Sequence, residues 1–185
     1  MSRNPDFFRT LVDHLNAHSV KTDGPFTLRS GIVSDWYLDA RQTTFSGEGA
    51  RLVGLTMLGH ISPEVEAVGG LTMGADPVAI STAIAAAENV RELSAFSIRK
   101  EEKEHGTGGR LVGPVGPGTK VAILEDTTTT GGAMAEAITV ARSEGLVIVE
   151  VVALIDRSGG IAGRRMADLG VRYSSVITPA DLGLE

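Results

Sequence analysis

Two polar segments hold side chains able to do chemistry. The first is Glu125-Asp126-Thr127-Thr128-Thr129-Thr130-Gly131-Gly132-Ala133-Met134, entered through Val121-Ala122-Ile123-Leu124. Four apolar residues, two acids, four threonines and a glycine pair before a run of helix formers predict a buried strand, a polar turn and a helix N-terminus. Such a turn offers an anion unpaired backbone N–H groups and the positive end of a helix dipole. Glycines let the backbone close on an oxygen-rich ligand, and threonine hydroxyls add donors. The acids narrow the choice. A bare phosphate beside Glu125 and Asp126 would be repelled, so the ligand needs hydroxyls or a metal on that side. A sugar phosphate meets both demands, with phosphate on the Thr/Gly loop and ribose hydroxyls on the acid pair.

The second segment is Arg99-Lys100-Glu101-Glu102-Lys103-Glu104-His105-Gly106-Thr107-Gly108-Gly109-Arg110, which contains no apolar residue. It cannot pack into a core and reads as a mobile, exposed loop. A run of this kind in isolation is a solvated face. Here the chain carries a net charge of −6, and a polyphosphate ligand would require positive charge gathered locally, because charges beyond roughly 8 Å are screened at physiological salt. Arg99, Lys100, Lys103 and His105 supply a fork, two point charges and a further donor, a set suited to pyrophosphate. Gly106-Thr107-Gly108 is not a dinucleotide fingerprint, since Leu111 stands where its last glycine would be and no strand feeds the first.

Positioning these groups requires a sheet and helices. Pro5 to Ser19 is expected to be a helix with Phe7, Phe8, Leu11, Val12 and Leu15 on one face. Phe26–Gly31 and Ser34–Asp39 are expected to be short strands, and Ser46 to His60 a helix. Val65 to Val68 is expected to form a strand running into Gly69-Gly70-Leu71-Thr72-Met73-Gly74, a loop whose glycines allow close backbone approach to a second phosphate group. Asp76 before Pro77 is the expected N-cap of the helix that continues to Glu88. Strands follow at Leu93–Ile98, Val121 onward, Val147–Ile155 and Tyr173–Ile177, with helices near Gly131–Glu144 and Ile161–Leu169. Arg157 follows a strand end, where open α/β sheets bind ligands, although an arginine beside Asp156 could also be a surface ion pair.

Composition excludes several classes. The 185 residues suit one domain, and 42% hydrophobic content with 23 glycines suits an α/β protein rich in tight turns. No apolar run approaches the length of a membrane span, and the N-terminus lacks a signal-peptide layout. With no cysteine there are no disulfides, thiolate metal sites or cysteine nucleophiles. The acidic balance argues against a nucleic-acid binder. A cytoplasmic enzyme without membrane or nucleic-acid partners is the expected class.

The strand, acid pair and Thr/Gly loop at 121–134 resemble the phosphoribosyl pyrophosphate (PRPP) motif of the type I phosphoribosyltransferases. The order Arg99-Lys100-x-x-Lys103-x-His105-Gly106, followed by Gly108-Gly109 and Val112-Gly113-Pro114, resembles the catalytic loop of the orotate phosphoribosyltransferase family. The likeness extends from Thr27 to Leu182, and Gly69 to Pro77 has the form of the actinobacterial-type branch. The resemblance implies an α/β type I phosphoribosyltransferase fold. A central, mainly parallel sheet would be flanked by helices in a single domain of residues 1–185, with a small N-terminal hood in residues 1–45. It implies transfer of phosphoribose from PRPP to orotate, giving orotidine 5′-monophosphate and pyrophosphate, in UMP biosynthesis. No decarboxylase domain is expected, since nothing follows Glu185.

By the same resemblance PRPP is held by Thr72 and Met73 (where several bacterial members have a lysine), by Arg99, Lys100, Lys103 and His105, and by Glu125 to Ala133. Orotate is held by Thr129 and Arg157, with Tyr37 flanking its ring and Arg29 in Arg29-Ser30-Gly31 standing where many orotate enzymes have lysine. Arg99, Lys103, His105 and Asp126 are the expected catalytic residues. Mg²⁺ is the implied cofactor, carried mainly by PRPP and water, with Glu125 or Asp126 as the protein carboxylates within reach. A homodimer is implied, the 99–110 loop reaching the neighbouring subunit's site and Lys100 serving its own. The alternatives are a purine phosphoribosyltransferase, disfavoured by Arg157 and the charged loop, and a PRPP-sensing regulator, disfavoured by the acidic balance.

Overall fold

The computed structural model describes residues 5–27, 33–101 and 109–184. The chain begins with α1 (Pro5–His18), whose Leu11 and Leu15 are fully buried. Four two-residue strands follow: β1 (Val20–Lys21), β2 (Phe26–Thr27), β3 (Val33–Ser34) and β4 (Tyr37–Leu38). β1 pairs with β4 and β2 with β3, both antiparallel and separate from the main sheet. These ribbons are the hood. β1 and the short helix α2 (Arg41–Thr44) are elements that periodicity did not reveal, because neither is long enough to show one.

α3 (Gly47–Leu58) starts where expected, at an N-cap Ser46 whose side chain accepts from the Gly49 N–H. The next strand differs from expectation. β5 spans Ala67–Leu71 and is buried throughout, so Gly69 and Gly70 lie inside it rather than in the following loop. The reason is steric: a Cβ at Gly69 would stand 2.2 Å from the Phe96 carbonyl oxygen, and one at Gly70 2.2 Å from that of Leu124. These glycines admit neighbouring strands, not a ligand.

The N-cap expected at Asp76 is also corrected. α4 (Ala75–Glu88) begins after Gly74, placing Asp76 in its first turn, where its Oδ2 accepts a 2.6 Å hydrogen bond from the Thr72 hydroxyl. The remaining elements are β6 (Ser94–Ile98), β7 (Leu111–Val112), β8 (Lys120–Thr128), α5 (Gly132–Ser143), β9 (Val147–Asp156), α6 (Ile161–Asp168), β10 (Tyr173–Ile177) and a closing 3₁₀ turn (Pro179–Leu182).

Six strands form the central sheet in the order β10-β9-β8-β5-β6-β7, all neighbours parallel except β6 with β7. Alternation along β8 sends Ala122 and Leu124 to one face and Val121 and Ile123 to the other. The first face packs on α1, α3, α4 and the hood through Leu11, Leu52, Met57 and Val78. The second packs on α5 and α6 through Met134, Ile138, Ala162 and Met166. From β5 the chain proceeds outward to β6, and from β8 it proceeds the opposite way to β9 and β10. That reversal opens a crevice at the carboxyl ends of β5 and β8, the place where open α/β sheets hold ligands. On α4, Ile80 and Ile84 are 55% and 56% exposed, one turn apart.

Candidate active site

The loops after β5 and β8 meet at the crevice. β8 carries Glu125 and Asp126 as its sixth and seventh residues, so the acids belong to the strand and inherit its rigidity. Asp126 Oδ1 accepts from the Thr127 N–H at 2.7 Å. A Cβ on Gly74 would sit 2.6 Å from that same oxygen, so the β5–α4 loop can lie against the acid pair only with glycine there. Glu125 is 8% exposed, and its Oε2 has no hydrogen-bond partner among the described residues. Burial, then the neighbouring Asp126 carboxylate, pushes the Glu125 pKa up to about 8. Burial also raises that of Asp126, opposed by the Thr127 N–H and by the Arg41 charge. The Lys100 ammonium acts the other way on Glu125, stabilising its charged form.

The turn after the acids is shaped by its own side chains. Thr128 is buried and its hydroxyl accepts from the Gly131 N–H at 3.0 Å. Gly131 then adopts φ 75°, a left-handed conformation suited to glycine, and α5 starts without a side-chain cap. The leading N–H groups of α5 therefore have no capping side chain, and the exposed Thr129 and Thr130 stand beside them. The Arg165 side chain crosses this turn. Its Nη1 lies 3.3 Å, and the Thr130 hydroxyl 3.6 Å, from where a Gly132 Cβ would be. Arg165 has no ion pair among the described residues. Together these make an electropositive cup next to two carboxyls.

Arg157 follows β9. Its N–H donates to the Thr128 carbonyl at 2.9 Å, which ties it to the phosphate-type loop. The surface ion pair with Asp156 is not formed. Asp156 instead accepts from the Tyr173 hydroxyl at 2.9 Å and from the Ser158 N–H at 2.7 Å. The half-buried Arg157 guanidinium has its Nε enclosed without a partner among the described residues, and burial draws its pKa down. Its Cζ lies 4.2 Å from the centre of the Trp36 ring. Tyr37, 38% exposed, is beside it, with its own ring 5.9 Å from Phe26.

At the loop stem, Arg99 and Arg110 hold each other. The Arg99 N–H donates to the Arg110 carbonyl at 2.8 Å, and Arg110 Nε donates to the Arg99 carbonyl at 2.6 Å. Arg110 also pairs with Glu136. The Arg99 guanidinium reaches the Gly109 carbonyl, 3.4 Å away. Lys103, His105 and Arg29 lie outside the described residues. Thr72 faces Asp76, and Met73 is 60% exposed at the loop tip. Three residues of this region were missed from sequence: Trp36, Arg41 and Arg165. Each arrives from a different element, and only Trp36, adjoining Tyr37, carried a local signal.

Among the described residues no three His, Asp or Glu side chains group closely enough to hold a metal unaided. The free Oε2 of Glu125 and the Asp126 carboxylate are hard oxygen donors of the type Mg²⁺ takes, in the number expected when substrate oxygens complete the shell.

A crevice built from an acid pair, a Thr/Gly cup and an arginine without an ion pair among the described residues, all at parallel strand ends, can be compared with known proteins. A scan against protein-family models gave no match. The chain is 43% identical over 163 residues to the orotate phosphoribosyltransferase of Streptomyces avermitilis, covering 88% of this chain and 90% of that one. It belongs to the orotate phosphoribosyltransferase family. Among solved structures, the orotate phosphoribosyltransferase of Mycobacterium tuberculosis with Fe(III) dicitrate aligns with TM-score 0.84 and 35% identity, over 96% of this chain and 99% of that one. The same mycobacterial enzyme bound to 5-phospho-α-D-ribosyl 1-diphosphate aligns with TM-score 0.79 and 31% identity, with the same coverage. The expected α/β class and type I phosphoribosyltransferase fold are thereby shown. An adenine phosphoribosyltransferase from Leishmania donovani, at 16% identity and TM-score 0.63, shares the fold alone.

Proposed function

We propose that this chain is an orotate phosphoribosyltransferase that moves the 5-phosphoribosyl group from PRPP to orotate, releasing pyrophosphate and forming orotidine 5′-monophosphate in UMP biosynthesis. The family membership supports the reaction. The observation that carries the choice of base is Arg157, a half-buried guanidinium without a carboxylate partner among the described residues, tied to the phosphate loop through Thr128.

The reaction breaks the bond between the anomeric carbon and pyrophosphate and develops positive character on the ribose ring, so the main demand is stabilisation of the departing charge. Glu125 and Asp126 hold the ribose hydroxyls, and Thr127 to Ala133 hold the 5′-phosphate, with the Arg165 guanidinium in reach of it. Thr72 and Met73 line the pyrophosphate side. Thr129 and Arg157 contact orotate, with Tyr37 along its ring and Arg29 in the hood. Lys100 serves its own chain's site, consistent with its effect on Glu125. Arg99, Lys103 and His105 reach the site of a second copy in a homodimer, and the exposed Ile80 and Ile84 support such pairing. Asp126 or Glu125 would hold a Mg²⁺ ion brought in with the substrate, and the ion would supply positive charge against the departing pyrophosphate. The enzyme acts as one catalytic domain in the cytoplasm; among the described residues no helix is long and apolar enough to cross a membrane.

The test mixes protein, PRPP and Mg²⁺ with orotate, adenine or hypoxanthine and follows loss of each base. Turnover of orotate alone, abolished by chelation, is expected. Equal turnover of adenine would sink the assignment and leave the fold standing.

A further inference from the structure

Trp36 is the only tryptophan in the chain, and neither the acid pair nor the phosphate loop uses it. It sits between β3 and β4, fixed from both sides by Ser34. The Ser34 hydroxyl donates to the Trp36 carbonyl at 2.8 Å and accepts from its N–H at 3.4 Å. Its ring packs partly on the core beneath the hood. Across from it, Arg157 is anchored among the described residues only through its backbone, while the flanking Asp156 is occupied by Tyr173 and Ser158. The one described contact that orients the guanidinium is the Trp36 ring, with Cζ 4.2 Å from its centroid. An aromatic face attracts a guanidinium without using any of its N–H donors. The edge of the fork stays free for a planar carboxylate, which binds it through two parallel hydrogen bonds.

We propose that Trp36 is the positioning residue for carboxylate recognition: its ring holds Arg157 so that the guanidinium edge meets the carboxylate of the pyrimidine substrate. This rests on the assignment of Arg157 to orotate. The hood thereby contributes to specificity through an arginine of the sheet, and a pyrimidine without a carboxylate gains nothing from the contact.

The experiment compares wild type, Trp36→Leu and Trp36→Phe. Trp36→Leu is expected to raise KM for orotate on the order of tenfold while kcat and KM for PRPP stay within about twofold, and Trp36→Phe recovers most of the loss because a ring face remains. Uracil, used as a competitive inhibitor without a carboxylate, should inhibit wild type and Trp36→Leu alike. The proposal is overturned by an unchanged orotate KM in Trp36→Leu, by an equal rise in KM for PRPP, by Trp36→Phe being as impaired as Trp36→Leu, or by matching losses for uracil and orotate. Wild type gives a second reading that needs no variant. As the sole indole, Trp36 should change its emission when orotate is added and not when PRPP is added. Equal response to both, or to neither, also overturns it. A wild type that consumes no orotate would instead remove the functional assignment itself, whatever Trp36 does.

Discussion

Glu125 is a carboxyl kept out of water beside a second carboxyl, and its proton follows from that placement. In the folded chain it keeps the proton up to about pH 8, whereas its ordinary value is 4.5. Unfolding across that interval releases a proton, so the stability of the ligand-free protein falls as pH rises from 4.5 to about 8 and then levels. Glu125→Gln keeps the shape and removes the titration. The variant should show a weaker decline, with Asp126 still titrating, and be more stable than wild type at pH 8, as urea midpoints across a pH series would reveal. Asp126→Asn should raise KM for PRPP, since the carboxylate is assigned to ribose hydroxyls. Lys103→Ala should leave KM near wild type and lower kcat by roughly 10²–10³, the usual loss for a charge contact made in the transition state. An unchanged kcat would return the charged loop to a solvated face. The acid pair and threonines were legible in the sequence because they are contiguous and their order is chemically restrictive. Arg165 and Arg41 were not, because nothing local to either records which loop it lies across.

Elements were legible where a period had room to repeat. α1, α3, β9 and β10 fell close to expectation, while β1, α2 and β7 are too short to carry a pattern. β5 was misplaced for a different reason: glycine pairs suggest a turn, and only the tertiary structure shows that Gly70 faces the Leu124 carbonyl. Gly70→Ala should therefore act on the fold, costing about 4 kcal/mol or more, because the clash is with strand backbone that cannot move aside. Gly74→Ala should act on the site. Its new methyl would press on Asp126, and KM for PRPP should rise on the order of 10–100-fold with a smaller fall in Tm. Comparing the two variants by thermal melting and steady-state kinetics separates strand packing from ligand positioning.

For the whole molecule, the sequence indicated the α/β architecture well, since apolar strands alternating with helices leave few ways to build a parallel sheet. It did not show which surface stays uncovered, because α4 is apolar on most sides and only its packing reveals that Ile80 and Ile84 face outward. Replacing both with glutamate should shift the protein toward monomer in sedimentation velocity. Loop sharing can be tested by refolding Lys103→Ala and Asp126→Ala together. If the loop acts in trans, each mixed dimer has one intact site, and random pairing restores roughly a quarter of wild-type activity. If it acts in cis, no activity returns.

The hood strands join the rest of the chain outside the six-stranded sheet, and each pairs over only two residues. Val33 on the outer ribbon is 64% exposed, so little apolar burial opposes its release. Local opening there should cost far less than global unfolding. Its backbone amides should exchange with deuterium well before those of β8 and β9. In a urea titration, capacity to turn over orotate should then vanish at concentrations where far-ultraviolet circular dichroism still reports an intact sheet. The base-recognition half of the site would be the last part to assemble during refolding and the first to be lost.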